Sequence, residues 1–204
     1  MYIPNHFKET DKDKIINFIR ENSFATLINI SDGQINANHI PLEIEEFEDK
    51  NYFLTGHMAK ADSQWQELQD NEQVLVIFNG PDSYISPQWY NELSVPTWNY
   101  TAVHIHGKAK IIFEQNEIIE ILKKQLKKYE SKFSAPFDFN SYEMSFLEAK
   151  IKGIVGIKIE IAKIEAKFKL SQNRENEIFN LIKGLEQAGG LKGTEITKYM
   201  RDYI

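Results

Sequence analysis

FATLINISDGQINANHIPLEI, residues 24–44, decides the fold. Apolar residues run at strand periodicity on both sides of Ser31-Asp32-Gly33-Gln34, and an Asp-Gly pair between two such runs is a hairpin signal. Outward from it, YFLTGH (52–57) makes a third strand after the acidic turn EEFEDKN (45–51). VLVIFNG (74–80), SYIS (83–86) and PTWNYTAVHIHGKAKIIF (96–113) continue the β pattern. KGIVGIKIEIAKIEAKFKL (152–170) alternates apolar and charged residues for long enough to be one bent strand or two consecutive ones.

Helices punctuate these strands. Thr10-Asp11-Lys12-Asp13 resembles a capping box, and Ile15, Ile16, Phe18 and Ile19 follow at helical spacing, which predicts a helix over 11–22. A short amphipathic helix is expected over 62–69 with Trp65 and Leu68 inward. Ile118, Ile121, Leu122, Leu126 and Tyr129 predict another over 116–130, and 144–149 a short one. The tail carries a helix over 175–187, a break at Ala188-Gly189-Gly190 and a last helix through Tyr203. Without regular βαβ alternation, the expected class is mainly β with peripheral helices (α+β), an antiparallel barrel. Residues 1–174 form the barrel domain in this reading, and 175–204 a helical C-terminal extension.

Composition bounds the function. The 204 residues are 42% hydrophobic and 26% charged, as in a soluble globular chain. The formal charge of −6 is uneven: residues 1–106 carry −10 and residues 107–174 carry +5. Any basic surface is therefore local, which argues against a protein that coats nucleic acid. Cysteine is absent, which removes disulfides, thiolate metal sites and cysteine nucleophiles. The N-terminal stretch lacks a signal-peptide pattern, and no apolar run approaches the roughly 18 residues of a membrane span. A cytoplasmic location, away from any membrane, is the expectation.

TGHMAKADSQW (55–65) is the most informative local segment. Lys60 is the only Lys or Arg between Lys50 and Lys108, and it sits where a strand gives way to a small-residue turn and then a helix. Ala59 and Ala61 leave room for a ligand beside the backbone amides, Lys60 adds charge, and the helix N-terminus adds free N–H groups. Together these suit a phosphate monoester. The alternative is an ordinary turn with a solvated lysine. Tyr84, Trp89, Tyr90, Trp98 and Tyr100 crowd the next region, and such rings serve as a ligand wall, an interface or core.

His104 and His106 share one side of a strand, while His39 and His57 lie on others, a pattern that identifies no metal site. Gly184, Gly189 and Gly190 approach a phosphate-loop spacing but lack the Lys-Ser/Thr pair, and read as a helix cap and inter-helix turn. Ser86 and Ser171 lack the turn of an exposed nucleophile. Lys123, Lys124, Lys127 and Lys128 span an arc of about 140° opposite the apolar stripe of their helix. With Lys132 they are the nucleic-acid candidate, against the alternative of a solvated face.

MYIPNHF, INANHIPL, TGHMAKADSQW, VLVIFNGPDSYISPQWY, VPTWNYTAVHIHGKA, KGIVGIKIEI and FKLSQNR, in this order, resemble the PaiB family of FMN-binding negative transcriptional regulators, from Met1 to about Arg174. The resemblance implies an FMN-binding split β-barrel, antiparallel, assembled as a homodimer with FMN at the subunit interface. It also implies that Thr55 and Ala59-Lys60-Ala61 match the superfamily segment Thr-x-x-x-Ser-Arg-Lys that holds the flavin phosphate, with one of its two cations retained and Gly56 and His57, between them, counted among the cofactor-binding residues. Backbone amides and a partner-chain residue, Lys169 or Arg174, then complete the site. Asn38, His39 and Ile40 become the flavin-ring contacts, and Trp89, Trp98 and Asn99 the contribution of the aromatic blocks.

The resemblance points to a regulator. A flavin-dependent oxidoreductase is the alternative, with His57, Tyr90 or Tyr100 as proton donor and no catalytic residue singled out. A haem-binding or haem-degrading protein using His104, His106 or His39 is a third reading. No helix-turn-helix is evident, so a DNA-binding role rests on Lys123–Lys132.

Overall fold

The computed structural model describes residues 1–47, 51–68 and 72–202. Its strands are β1 (Lys8–Glu9), β2 (Phe24–Ser31), β3 (Gln34–Phe47), β4 (Asn51–Ala59), β5 (Gln73–Ile85), β6 (Thr97–Ile112) and β7 (Ile154–Lys169). Its helices are α1 (Lys12–Glu21), α2 (Gln64–Glu67), α3 (Gln115–Glu130), α4 (Met144–Ile151), α5 (Ile178–Ala188) and α6 (Leu191–Arg201). The expected turn across 48–50, the end of the second helix at Gln69 and the end of the last at Tyr203 lie outside the described residues.

The opening hairpin forms as expected. β2 and β3 pair antiparallel from Phe24↔Pro41 to Ser31↔Gln34. Asp32 and Gly33 take φ of 49° and 74°, as a two-residue hairpin turn requires. β3 pairs with β4, and β4 with β7, also antiparallel. The sheet order is β1-β7-β4-β3-β2-β5-β6, and a further β6–β7 pairing links the end of that order back to β7. This is the mainly β, antiparallel arrangement expected of the split barrel. β5 runs unbroken through residues read as two strands, β7 is one strand, and the two-residue β1, paired with Lys167 and Ala166, was not foreseen.

The chain divides into two compact units. One comprises Met1–Phe18, Phe78–His104 and Glu165–Ile204, the other Ile19–Ile77 and Ile105–Ile164. In the first, Phe18 packs against Phe168 and Tyr199, with ring centroids 5.1 and 6.1 Å away. The buried Leu181, Ile182 and Leu185 of α5 and Ile196 and Met200 of α6 belong to the same unit. Asp11 caps α1, its Oδ1 accepting from the Asp13 and Lys14 amides at 2.9 and 3.1 Å. The inter-helix turn is built at Gly189 and Gly190, with φ of 73° and 92°. Gly184, by contrast, lies inside α5 against Trp89: a Cβ there would stand 2.3 Å from the Trp89 ring.

In the second unit Leu27, Leu42, Leu54, Ile157 and Ile159 are fully buried, and α3 and α4 enclose a cluster of Ile112, Ile118, Ile121, Leu147 and Ile151. Gln125, rather than Leu126 or Tyr129, is buried in the second half of α3. Its side chain donates to the Pro41 carbonyl at 3.3 Å. Among the described residues no helix is long and apolar enough to cross a membrane.

Candidate functional site

Strand alternation separates the expected flavin-ring contacts. Asn38 and Ile40 turn to one face of β3 and His39 to the other, because successive side chains point to opposite sides. Ile40 is buried. Asn38 donates to Asp62 at 2.5 Å and to Gln64 at 3.1 Å. His39 is exposed and stacks on Phe24, with centroids 6.2 Å apart. Three consecutive side chains on one ring is thus not what this strand offers.

β4 behaves the same way. Gly56 faces inward, and a Cβ there would come within 2.6 Å of the Pro41 carbonyl. Thr55 and His57 share the other face, which α3 covers. The buried Thr55 hydroxyl donates to Glu45 at 2.5 Å. Thr55 also lines a groove of about 310 Å³ with Phe53, Lys124 and Lys158, but Glu45, Glu117 and Glu120 line it too and oppose a phosphate. Burial lowers the His57 pKa, against the opposing hydrogen bond with Gln125, so the imidazole is neutral at neutral pH. Its buried Nδ1 has no hydrogen-bond partner among the described residues.

The Lys60 turn differs from the amide cradle expected of it. The Lys60 amide donates to the Gly153 carbonyl at 2.9 Å, the Asp62 amide to the Ala59 carbonyl at 3.1 Å, and the Gln64 amide to the Asp62 carboxylate at 2.9 Å. α2 is a single turn whose entry Asp62 already serves, and Trp65 Nε1 donates to the Lys60 carbonyl at 3.0 Å. Ala59, Lys60 and Ala61 are exposed, and among the described residues the Lys60 ammonium has no partner. With three backbone amides of the turn committed, the exposed Lys60 side chain is the cationic donor that this turn leaves for an anion.

The remaining expected residues belong to the first unit. Trp89 packs on α5 at Gly184. Asn99 is fully buried, accepts from Ser171 Oγ at 2.9 Å and donates to the Met200 sulfur at 3.5 Å, so its amide serves packing. Trp98 is 53% exposed and meets Tyr84 edge to face at 6.0 Å. Lys169 donates to Thr97 Oγ1 and to the Trp98 carbonyl at 2.7 Å. Arg174 lies over the Tyr90 ring at 5.5 Å and beside Glu177 at 3.6 Å. Burial raises the Tyr90 pKa, with Arg174 and Ser171 opposing, so the phenol keeps its proton at neutral pH.

Two of the lysines expected on an outer helix face reach the sheet instead. Lys124 pairs with Glu45, and Lys128 with Glu43 at 2.5 Å. Lys128 also donates to the Arg20 carbonyl at 2.6 Å. Lys123 pairs with Glu120 at 2.8 Å, while Lys127 and Lys132 are exposed. The helical row through Ile121, Gln125 and Lys128 faces β3, and the long lysine stem lets a charge at its end cross to a strand carboxylate. Among the described residues no His, Cys, Asp and Glu cluster could hold a metal.

One surface escaped sequence reasoning. Phe24, Ile30 and Ile35 on the outer face of the β2–β3 hairpin are 67%, 64% and 74% exposed, with Ile28↔Ala37 between them and Leu75 and Ile77 of β5 alongside. The signal was present: both parities of FATLINI are apolar, as in a strand covered on both faces.

Residues 1–163 match the model of the family described as "Putative FMN-binding domain". The chain is 41% identical, over 100% of its length and 98% of the relative, to the protease synthase and sporulation protein PAI 2 of Bacillus subtilis. Among solved structures, the FAD and haem binding protein of Mycobacterium smegmatis aligns with a TM-score of 0.59 at 12% identity, over 79% of this chain and 73% of that one. A flavocytochrome of Azotobacter vinelandii aligns at 0.57 and 13%, over 82% and 72%. These two share the fold. With its strand and turn segments inside the matched range and a full-length relative at this identity, the chain belongs to the PaiB-type family of FMN-binding domain proteins.

Proposed function

We propose that this chain is an FMN-binding regulator of gene expression that works in the cytoplasm as a homodimer. The observation that carries it is the family match across residues 1–163. The likeness to a protein named for protease synthesis and sporulation supports the regulatory role. FMN would supply redox chemistry, and the chain's part is to bind and orient it. Lys60 is an exposed cation for the phosphate, carried by the strand and turn from Thr55 to Ala61, with Lys169 or Arg174 of the partner subunit completing the charge. His39 offers an exposed ring to the isoalloxazine, and Trp98 of the partner subunit would offer another.

A homodimer is supported by the apolar outer face of β2, β3 and β5, which a monomer leaves to water. DNA contact would draw on Lys127 and Lys132, exposed on the basic segment, with Lys123 adjusting its pairing. The purified protein should show the absorption bands of oxidised flavin or acquire them on titration with FMN. Lys60→Ala should weaken FMN binding about tenfold, the order expected of one charge-assisted hydrogen bond, and Lys127→Ala should leave it unchanged. A protein that takes up no FMN overturns the reading, and equal effects of the two variants overturn the phosphate assignment. A DNA mobility shift unchanged by replacing Lys123, Lys127 and Lys132 removes the lysines' role.

A further inference from the structure

β7 ends in Lys167-Phe168-Lys169, with Phe168 turned into the core and both lysines on the opposite face. Lys167 is only 9% exposed. Its ammonium donates to the Tyr2 carbonyl at 3.1 Å and lies 5.8 and 5.2 Å from the rings of Tyr2 and Tyr100. Lys169 donates to Thr97 Oγ1 and the Trp98 carbonyl, with the Phe7 ring at 5.9 Å. Lys8 stands directly opposite Lys167 in the β1–β7 pairing and so projects from the same face. Glu165, the acid on this face, is taken by the Met1 amino group at 3.1 Å. Among the described residues neither Lys167 nor Lys169 is paired with a carboxylate.

Charge placed this way calls for an anion. Burying cations is costly unless an opposite charge accompanies them, and residues two apart on a strand face stand only about 7 Å from each other. The two charges oppose one another, and burial together with the Lys167 charge holds the Lys169 pKa below its usual value. Hydrogen-bond capacity agrees. Each ammonium has three donors; two are used on Lys169 and one on Lys167, so three of the six are available. Beside them Trp98, whose carbonyl receives Lys169, exposes its ring next to Tyr84. We propose that Lys167 and Lys169, with Lys8 at the rim, form a binding site for the phosphate monoester of a mononucleotide whose flat ring lies against Trp98. This deepens the flavin reading if FMN is that mononucleotide; the other source is a second, free nucleotide.

The test is calorimetric titration of the wild type and the Lys167→Met, Lys169→Met, Lys169→Arg and Lys8→Met variants. The ligands are FMN against riboflavin, and AMP against adenosine on protein with and without FMN. The wild type should prefer the phosphorylated member of at least one pair by tenfold or more. Both methionine variants at 167 and 169 should lose that preference while keeping their affinity for the phosphate-free member, and Lys169→Arg should retain it. Lys8→Met, at an exposed position, should reduce it about threefold and serves if the Lys167 and Lys169 variants do not fold. Preference for FMN identifies the flavin as the source. Preference for AMP on FMN-loaded protein identifies a second nucleotide. A wild type that binds AMP with the preference and takes up no FMN supports this site and overturns the flavin reading. No preference in the wild type, or one unchanged in Lys167→Met, Lys169→Met and Lys8→Met, overturns the site.

Discussion

Gly184→Ala sets two physical effects against each other. Gly184 lies inside α5, where replacing glycine by alanine ordinarily stabilises a helix by about 1 kcal/mol. Here the new methyl carbon would stand 2.3, 2.5 and 2.6 Å from Cδ2, Cγ and Cε2 of Trp89. Ordinary contact begins near 3.4 Å, so a rigid indole has to recede by about 1 Å, and overpacking of that kind costs about 1–3 kcal/mol. The packing cost offsets or outweighs the propensity gain, and a net loss of up to about 2 kcal/mol is expected. Urea unfolding followed by tryptophan emission measures both the loss and the ring's displacement. In a Trp89→Ala background the clash is gone, so the same substitution should stabilise by about 1 kcal/mol, a coupling of about 1–3 kcal/mol between the two positions. If Gly184→Ala stabilises the wild type with unchanged emission, Trp89 does not pack on α5 and is available as a flavin wall.

Lys128→Met removes the cation from the largely buried Glu43, which keeps its bond to the Tyr129 hydroxyl at 2.8 Å. A loss of about 1–3 kcal/mol by urea unfolding is expected, whereas Lys127→Met on the exposed face should change stability by less than about 0.5 kcal/mol. Ile35→Asp, on the exposed hairpin face, should shift sedimentation equilibrium from dimer to monomer; an unchanged dimer would move the interface elsewhere. The folded-state pKa of His57 lies below the unfolded value, so the unfolded chain binds the proton more readily. His57 therefore contributes its full stability above about pH 6.5, and the contribution fades as the pH falls through the window below that value. His57→Gln should flatten that part of the stability profile relative to wild type.

Strand positions were legible in the sequence because alternation and the Asp32-Gly33 turn are local properties of the chain. The one continuous β5 was read as two strands because Gly80 and Pro81 look like punctuation until neighbouring strands hold them extended. The candidate site was legible as a set of residue types and less so as an arrangement. Lys60 stands exposed as expected. The amides around it are taken up by Gly153, Ala59 and Asp62, two of them within the turn and one from a residue far along the chain, which no local reading anticipates. Asn99, read as a flavin contact, bonds Ser171 and Met200, both far from it in sequence.

By itself the sequence determined the strand order along the chain, the hairpin, the absence of thiol chemistry and the family, since each depends on residue identity or short-range spacing. Tertiary structure decided which side chains are free to meet a ligand. Lys124 and Lys128 look alike on a helical wheel with Lys127, yet strand carboxylates claim the first two and leave the third to solvent. Lys167 and Lys169 look like the polar half of an alternating strand, yet the aromatic N-terminal segment lies against both and leaves the first buried and the second half-buried, neither paired with a carboxylate among the described residues. Electrostatic energy depends on distance and burial, and both come here from contacts between residues 79 to 165 positions apart.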